Sequence, residues 1–375
     1  MDMTKISKSK LGFFAFFSLV CLDFISYKIE ALIGHGFYAG ILAVSIGFLL
    51  LLSMFRLSGR KLIDFLFISI LLFAPVVIAG SSSYFDFEDV FFWIKTLCYY
   101  AIGYFYAIFL LKNNREKFGL MFLFFLICIL SILLIPGEGQ NYLRLADGFV
   151  LLSFYLMAFS KRVYLKLAFF FVASASLYVI NSRFSMMSFV FISLAVYIYK
   201  QKMTKLLPIL ISLGCSLLVV YVKLKNYFLT LSSIDDNRIL RLVFATNQDS
   251  SLIQRNMMLE WSIKIFKENP ILGKYKYYYG DGRVGSYAHN FMSFWSELGV
   301  VGITQTLVIA LLCIKSLFLL RQYKENVPNI IEYSAYISLL VLLGLIASKS
   351  YLWPTYYLSI GFLYVVNLKS RKGFE

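Results

Sequence analysis

Apolar residues form long blocks along the chain, each of roughly 17–23 residues, separated by short polar connections. A helix of that length crosses the hydrocarbon core of a bilayer, and it satisfies its own backbone hydrogen bonds, as lipid requires. The blocks lack the alternation of polar and apolar positions that marks barrel strands. The pattern predicts an all-α polytopic membrane protein of about twelve transmembrane helices, placed roughly at residues 11–27, 37–55, 62–79, 91–111, 118–135, 142–160, 165–181, 184–199, 206–222, 291–313, 330–347 and 352–368.

The predicted spans divide the chain into three parts. Residues 1–222 hold the first nine spans, residues 223–290 form one large loop, and residues 291–375 hold the last three spans and a short tail. Within the loop, the spacing of apolar residues predicts a helix over 252–268 whose apolar face packs against the membrane domain. A capping motif at Ser232 indicates the start of an earlier helix. The loop is therefore expected to be helical and to pack on the spans.

Basic residues indicate the orientation. With the N-terminus inside, every inside connection carries at least two Lys or Arg residues, whereas the short outside connections carry only Lys28, Arg144, Arg183 and Lys349. This distribution follows the positive-inside rule. It predicts cytoplasmic N- and C-termini in a bacterial inner membrane, with the large loop on the periplasmic side. The net charge of +16 thus mostly reflects topology and does not indicate nucleic-acid binding. A chain with 60% apolar and 15% charged residues also does not fit a soluble domain.

Residues that could bind an anion or move a proton gather at the predicted outer face. Arg183 lies in the first turn of the eighth span, where free backbone N–H groups and a guanidinium suit a phosphate. Arg255 lies on the apolar side of the 252–268 helix, where a desolvated guanidinium needs an anionic partner. His289 directly precedes the tenth span, whose helix dipole is expected to lower the imidazole pKa. A neutral imidazole can accept a proton near pH 7.

Two further candidates are Arg283, in a Tyr- and Gly-rich part of the loop, and Asn290, a natural cap for the tenth span that could also bind sugar. Each candidate also has a plainer interpretation: Arg183 as an interface anchor, Arg255 in a structural salt bridge, His289 as a structural histidine. Together they could neutralise a diphosphate and deprotonate a hydroxyl, the two needs of glycosyl transfer from a lipid-linked sugar. No acidic or His/Cys cluster indicates a metal, and no cofactor is expected.

Three stretches, in this order and topology, resemble the O-antigen ligase and polymerase superfamily: Asn181-Ser182-Arg183, Arg255 with the downstream Pro270-Ile271-Leu272-Gly273, and Ala288-His289-Asn290 followed by Gly299-Val300-Val301-Gly302. The resemblance covers about a third of the chain, roughly 181–302. The chain departs from the family pattern after the loop motif, where a second glycine is expected and Lys274-Tyr275 stands instead.

The resemblance implies a metal-independent membrane glycosyltransferase of the GT-C kind. Its donor would be an undecaprenyl-diphosphate-linked oligosaccharide, with His289 as the base and Arg183 and Arg255 at the diphosphate. A chain-length regulator protein is a further expected partner, beside the lipid bilayer, and no nucleic acid is expected.

Three activities remain open from the sequence. We favour an O-antigen polymerase, which joins O-antigen or capsule-type repeat units at the periplasmic face. The alternative within the superfamily is an O-antigen ligase, which transfers the finished glycan to lipid A-core. The alternative of another class is a transporter or flippase of lipid-linked oligosaccharide, although a large outer loop has no obvious use in a flippase.

Overall fold

The computed structural model describes residues 8–18, 38–54, 59–79, 86–112, 118–134, 142–180, 182–200, 250–278, 288–323 and 327–370. These residues form helices and turns and contain no strand. The described helices, in chain order, are α1 (Lys8–Phe17), α2 (Tyr38–Met54), α3 (Arg60–Ala79), α4 (Phe87–Lys112), α5 (Phe118–Leu134), α6 (Tyr142–Phe159), α7 (Val163–Ile180), α8 (Arg183–Lys200), α9 (Ser250–Glu268), α10 (Met292–Gln322), α11 (Asn329–Leu343), which continues into a π turn (Gly344–Ser348), and α12 (Pro354–Ser370).

The helices follow the apolar blocks of the sequence. Every predicted span overlaps a described helix except 206–222, which lies outside the described residues, as does Ser232. The predicted loop helix is confirmed as α9. In the described part of the chain, five helices are long and apolar enough to cross a membrane, namely α4, α7, α8, α10 and α11 with its π turn. The all-helical class is thus confirmed, whereas the count of about twelve spans stays a prediction.

Large apolar side chains cover the outside of the bundle. Phe171 on α7, Phe191 on α8 and Leu311 on α10 are each more than 60% exposed. A water-soluble protein rarely exposes such residues in extended patches, whereas lipid accommodates them without cost. The exposed surface therefore fits a protein whose helices face a bilayer.

The centre of the bundle is a close crossing of α4 and α12. A Cβ on Gly103 would lie 2.0 Å from the carbonyl oxygen of Leu358, and a Cβ on Gly361 would lie 2.0 Å from that of Tyr100. Glycine at both positions lets the two backbones touch, as small residues commonly do between membrane helices. The crossing fixes α12, and with it the segment that precedes α12, against the start of α4.

A buried ion cluster ties three helices at the end of the bundle opposite the candidate site. Glu332, in the first turn of α11, is 1% exposed and accepts from Lys166 of α7 at 2.8 Å and from Lys200 of α8 at 2.5 Å. Two residues further along α11, Ser334 accepts a hydrogen bond from Ser316 of α10 at 2.7 Å. These contacts fasten α7, α8, α10 and α11 to one another.

Helix α10 is broken at Gly299, whose φ of 56° and ψ of −133° are not helical. Trp295 Nε1 donates to Thr306 Oγ1 at 3.0 Å across eleven residues, a separation that would span about 16 Å along a straight helix. The carbonyl of Phe294 also packs on Gly302, where a Cβ would lie 2.0 Å from its oxygen. The first turns of α10 therefore fold back against the long remainder, a break that the hydrophobic pattern does not predict.

The turn after α9 completes the backbone hydrogen bonds around this break. The N–H of Lys274 donates to the Ser296 carbonyl at 2.8 Å, and the N–H of Val300 donates to the Ile271 carbonyl at 3.0 Å. Gly273, with a φ of 70°, lies so close to α10 that a Cβ there would be 2.5 Å from its backbone. Glycine is required because the φ is positive and the space is filled. The loop motif and the α10 motif are thus interlocked.

Candidate functional site

The candidate site lies where several helices begin at one end of the bundle. Arg183 begins α8, Arg255 lies on α9, and His289 directly precedes α10. Lys349 follows the π turn after α11, and its Nζ lies 5.1 Å from the centre of the Phe184 ring. The charges of Arg255 and Lys349 both act on His289. The structure therefore brings Arg183, Arg255 and His289 to the same end of the bundle.

Of the remaining predicted residues, only Asn290 lies in the described part of the chain; Arg283 and Asn181 lie outside it. Asn290 Oδ1 accepts a hydrogen bond from the N–H of Met292 at 2.9 Å, and Ser293 Oγ donates to the Asn290 carbonyl at 2.9 Å. These bonds form a turn directly before α10, whose N-cap is Phe291 without a side-chain cap, so the predicted capping by Asn290 is wrong by one residue. The turn fixes the backbone beside the imidazole, and sugar binding by Asn290 stays a prediction.

His289 is held in the neutral form. Burial, the largest cause, and then the charges of Arg255 and Lys349 lower the pKa of His289 to about 4. The sequence predicts a lowered pKa through the dipole of a long helix. In the structure the first piece of α10 is short, and burial with two nearby cations has the same effect. The imidazole is therefore uncharged near pH 7 and can accept a proton.

A buried ion pair between Asp147 of α6 and Lys349 forms the centre of what we call the lysine cluster. Lys349 Nζ lies 2.5 Å from Asp147 Oδ2, and each residue is 8% exposed. Trp353 Nε1 donates to the same oxygen at 2.8 Å, and Ser185 Oγ donates to Oδ1 at 2.8 Å. Ser182 Oγ in turn donates to Ser185 Oγ at 2.9 Å. The cluster ties the first turn of α8 to α6 and to the segment after α11.

A second group, the glutamate cluster, fastens the turn after α9. Glu297 of α10 is fully buried, and its Oε2 accepts from the Tyr351 hydroxyl at 2.9 Å and from the N–H of Lys276 at 3.3 Å. Lys276 Nζ lies 2.9 Å from Asp89 Oδ2 at the start of α4. The Tyr275 hydroxyl donates to Asp89 Oδ1 at 2.6 Å. Burial and then the Asp89 carboxylate raise the pKa of Tyr275, so its phenol remains a donor.

Lys276 makes the sharp turn that follows α9 without a glycine. Its φ of 49° is left-handed, a conformation that glycine adopts without strain and other residues adopt at a cost. Its side chain is buried and lies within 3.2 Å of Asp86 as well as pairing with Asp89. The chain therefore makes the sharp turn without a second glycine and uses the lysine to hold the turn against α4.

The short segment between α11 and α12, residues 349–353, touches both clusters. Lys349 belongs to the lysine cluster and Tyr351 to the glutamate cluster. The backbone of the segment is fixed from α12, because the Tyr356 hydroxyl donates to the Lys349 carbonyl at 3.0 Å and the Tyr357 hydroxyl donates to the Tyr351 carbonyl at 2.7 Å. This segment is the part of the site that connects the helix starts to the loop.

Reasoning from the sequence missed three site residues: Asp147, Lys349 and Glu297. The signals were present, because Asp147 and Glu297 are acids inside predicted spans, where charges are costly and usually functional. Lys349 is one of the four basic residues in the short outside connections.

Comparison with known families bears on this arrangement. Residues 168–307 match the model of a family described as O-antigen ligase. The chain carries an O-antigen ligase family domain. This domain covers just over a third of the chain and includes Arg183, Arg255 and His289, whereas Lys349 follows it. No curated protein and no solved structure gives a significant match.

The O-antigen ligase domain supports the superfamily that contains both ligases and polymerases, and the match does not distinguish the two. Members of the family are membrane enzymes of the glycosyltransferase kind. Together with the apolar helices, the domain fits a membrane protein of O-antigen and lipopolysaccharide biosynthesis whose substrate is a lipid-linked oligosaccharide.

Proposed function

We propose that this O-antigen ligase family protein polymerises O-antigen or capsule-type repeat units carried on undecaprenyl diphosphate, at the periplasmic face of the inner membrane. One observation carries the proposal: a neutral, partly buried histidine lies beside cations at one end of a membrane bundle. His289 has Arg255 and Lys349 as charged neighbours, and Arg183 begins the helix beside Lys349. Such a site suits a reaction that takes up a proton and stabilises an anionic leaving group.

In the proposed step, a hydroxyl oxygen of the acceptor sugar attacks the anomeric carbon of the donor glycan. The bond between that carbon and the diphosphate oxygen breaks, and its electron pair stays on the diphosphate. The hydroxyl proton moves to the imidazole of His289, which becomes an imidazolium. Diphosphate leaves readily, so the step needs a base and positive charge but no general acid.

The other candidate residues take binding roles in this proposal. Arg183 and Arg255 neutralise the two phosphates, a task for which guanidinium groups are well suited because they donate in pairs. Arg283 contacts the donor from the loop, and Asn290 presents its amide N–H groups to a sugar while its oxygen accepts from the N–H of Met292. Because the guanidinium groups carry the positive charge, we propose a metal-independent transfer.

Replacing His289 with alanine tests the base. We expect the rate of transfer to fall by roughly 10²–10⁴, the usual contribution of a general base, in purified full-length protein supplied with lipid-linked repeat units in nanodiscs. His35→Ala, which removes the second of the two histidines in the sequence, serves as the matched control and should keep wild-type activity. A His289→Ala variant that folds and transfers glycan at the wild-type rate would exclude this role.

The nature of the acceptor distinguishes polymerase from ligase. We favour polymerisation because polymerases of this superfamily diverge with their repeat unit, and this Phe-, Tyr- and Lys-rich chain is typical of such divergent members. A polymerase should build a ladder of longer lipid-linked glycans from repeat units alone, whereas a ligase should form product only when lipid A-core is added. In a deletion strain, core bearing a single repeat unit supports polymerase, and core bearing none indicates ligase or flippase.

A further inference from the structure

Lys349 is a buried ammonium group whose hydrogen-bonding capacity the described residues do not fill. An ammonium has three N–H donors, and among the described residues the only acceptor of the Lys349 ammonium is Asp147, at 2.5 Å. The remaining neighbours of its Nζ are the faces of two rings, Phe184 at 5.1 Å and Trp353 at 5.0 Å. A buried donor without an acceptor is costly, so the ammonium would gain from a further anionic partner.

The environment of Lys349 is rigid. Its carbonyl accepts from the Tyr356 hydroxyl at 3.0 Å, and its N–H donates to the Gly344 carbonyl at 2.9 Å. Its counter-ion Asp147 is fixed by Trp353 at 2.8 Å on one oxygen and by Ser185 on the other. A buried ion pair seldom adds stability over well-packed apolar residues of the same volume. A pair held this firmly, beside the proposed base, indicates a role in the chemistry of the site.

We propose that Lys349 binds the diphosphate of the lipid-linked donor as a third cation beside Arg183 and Arg255, and that Asp147 balances its charge until the donor arrives. This inference rests on the proposed function. It adds two residues outside the matched family domain to the donor site.

The charges of the site balance those of the reaction. Three cations and one carboxylate leave two net positive charges, which equal the two negative charges of a diphosphate that bridges lipid and sugar. When the bond to the sugar breaks, the diphosphate gains a third negative charge, and the proton on His289 supplies a third positive charge. Asp147 therefore prevents the resting site from carrying an excess positive charge, which would hold the product and slow its release.

Direct binding to full-length protein in nanodiscs tests the inference, with undecaprenyl diphosphate and undecaprenyl monophosphate as probes. We expect the wild type to prefer the diphosphate. Lys349→Met should weaken diphosphate binding roughly tenfold, about the value of one charge-assisted hydrogen bond, and Lys349→Arg should keep most of it. Lys166→Met, which removes a lysine from the ion cluster at the opposite end, is the matched control and should bind as the wild type does.

The double variant Asp147→Asn with Lys349→Met separates charge from structure. It restores the two net positive charges, so diphosphate binding should recover most of the loss seen in Lys349→Met. The acid limit of kcat/KM should move upward in Lys349→Met and stay raised in the double variant, because both lack one of the two cations that act on His289. A purely structural pair would change the midpoint of thermal unfolding in Lys349→Met but leave the diphosphate affinity of the folded protein equal to that of the wild type.

The outcomes also separate this inference from the proposed function. Equal binding of diphosphate by wild type and Lys349→Met overturns the role of Lys349 and leaves the proposed function standing. A wild type that does not distinguish diphosphate from monophosphate overturns both.

Discussion

Lowering the pH from 7 to 5 should leave glycosyl transfer almost unchanged, because burial and two cations keep His289 neutral. With its pKa lowered to about 4, about 90% of the imidazole is uncharged at pH 5, whereas an ordinary histidine with a pKa near 6.5 would be only about 3% uncharged. The two cases differ about 30-fold in the amount of active base at that pH. The structure thus predicts an enzyme whose kcat/KM falls only at an unusually low pH, which we call its acid limit.

The assay is kcat/KM for the lipid-linked donor, measured from pH 4 to 8 with purified protein, because this ratio reports the free enzyme. The profile should fall only near pH 4. The corresponding limit in kcat should lie higher, because the bound diphosphate favours the imidazolium. A fall of kcat/KM centred near pH 6.5 would refute the reasoning, since it would show that His289 titrates as an exposed histidine does.

The same pKa has a consequence for stability. Between pH 4 and 6.5 the unfolded chain binds a proton at His289 and the folded chain does not, so stability rises with pH across that window. The effect is at most about 3 kcal/mol, from the size of the pKa shift. Thermal unfolding in detergent should therefore show a midpoint that rises from pH 4 to 6.5, and His289→Ala should remove this part of the dependence.

Two further substitutions test the fold around the site and at the opposite end. Gly299→Ala should strongly reduce the yield of folded protein. The alanine would be strained by the positive φ, and its Cβ would clash with the Ile271 carbonyl, at a cost of roughly 1–3 kcal/mol for each effect. Gly59→Ala, with a φ of 62° and nothing within 4 Å, carries only the first cost and is the matched control. Glu332→Gln should lower the midpoint of thermal unfolding, since it removes the buried carboxylate that pairs with the part-exposed Lys166 and Lys200, at a cost below the about 3–5 kcal/mol of a fully buried pair. Transfer by the folded Glu332→Gln protein should be unchanged, and loss of transfer at a normal midpoint would contradict the structural role.

The sequence predicts the helices well because their signal is local. An apolar block of span length has no stable alternative to a helix in lipid, so every described span was recognisable without tertiary information. The same holds for Arg255, whose position on the packed side of α9 follows from helical periodicity alone. The direction of the His289 pKa was also predictable, although its main cause, burial, was not.

The partners of buried charges were not predictable from the sequence. Asp147 and Lys349 are 202 residues apart along the chain, and no local pattern indicates that they meet. The break at Gly299 was missed for a related reason: a glycine within an apolar block is compatible with a continuous helix, and the contact that requires the break comes from the distant turn at Gly273. Local patterns thus predict the elements, whereas the site depends on contacts between them.

The fold-back of α10 sets an order for biogenesis. The backbone groups exposed by the break at Gly299 are satisfied by Ile271 and Lys274, which precede α10 and leave the ribosome before it. Without Ile271 and Lys274, α10 would enter lipid with unpaired backbone N–H and C=O groups, at a cost of several kcal/mol per group. We therefore expect the turn after α9 to be in place before α10 and the helices that follow it take their final positions in the bundle.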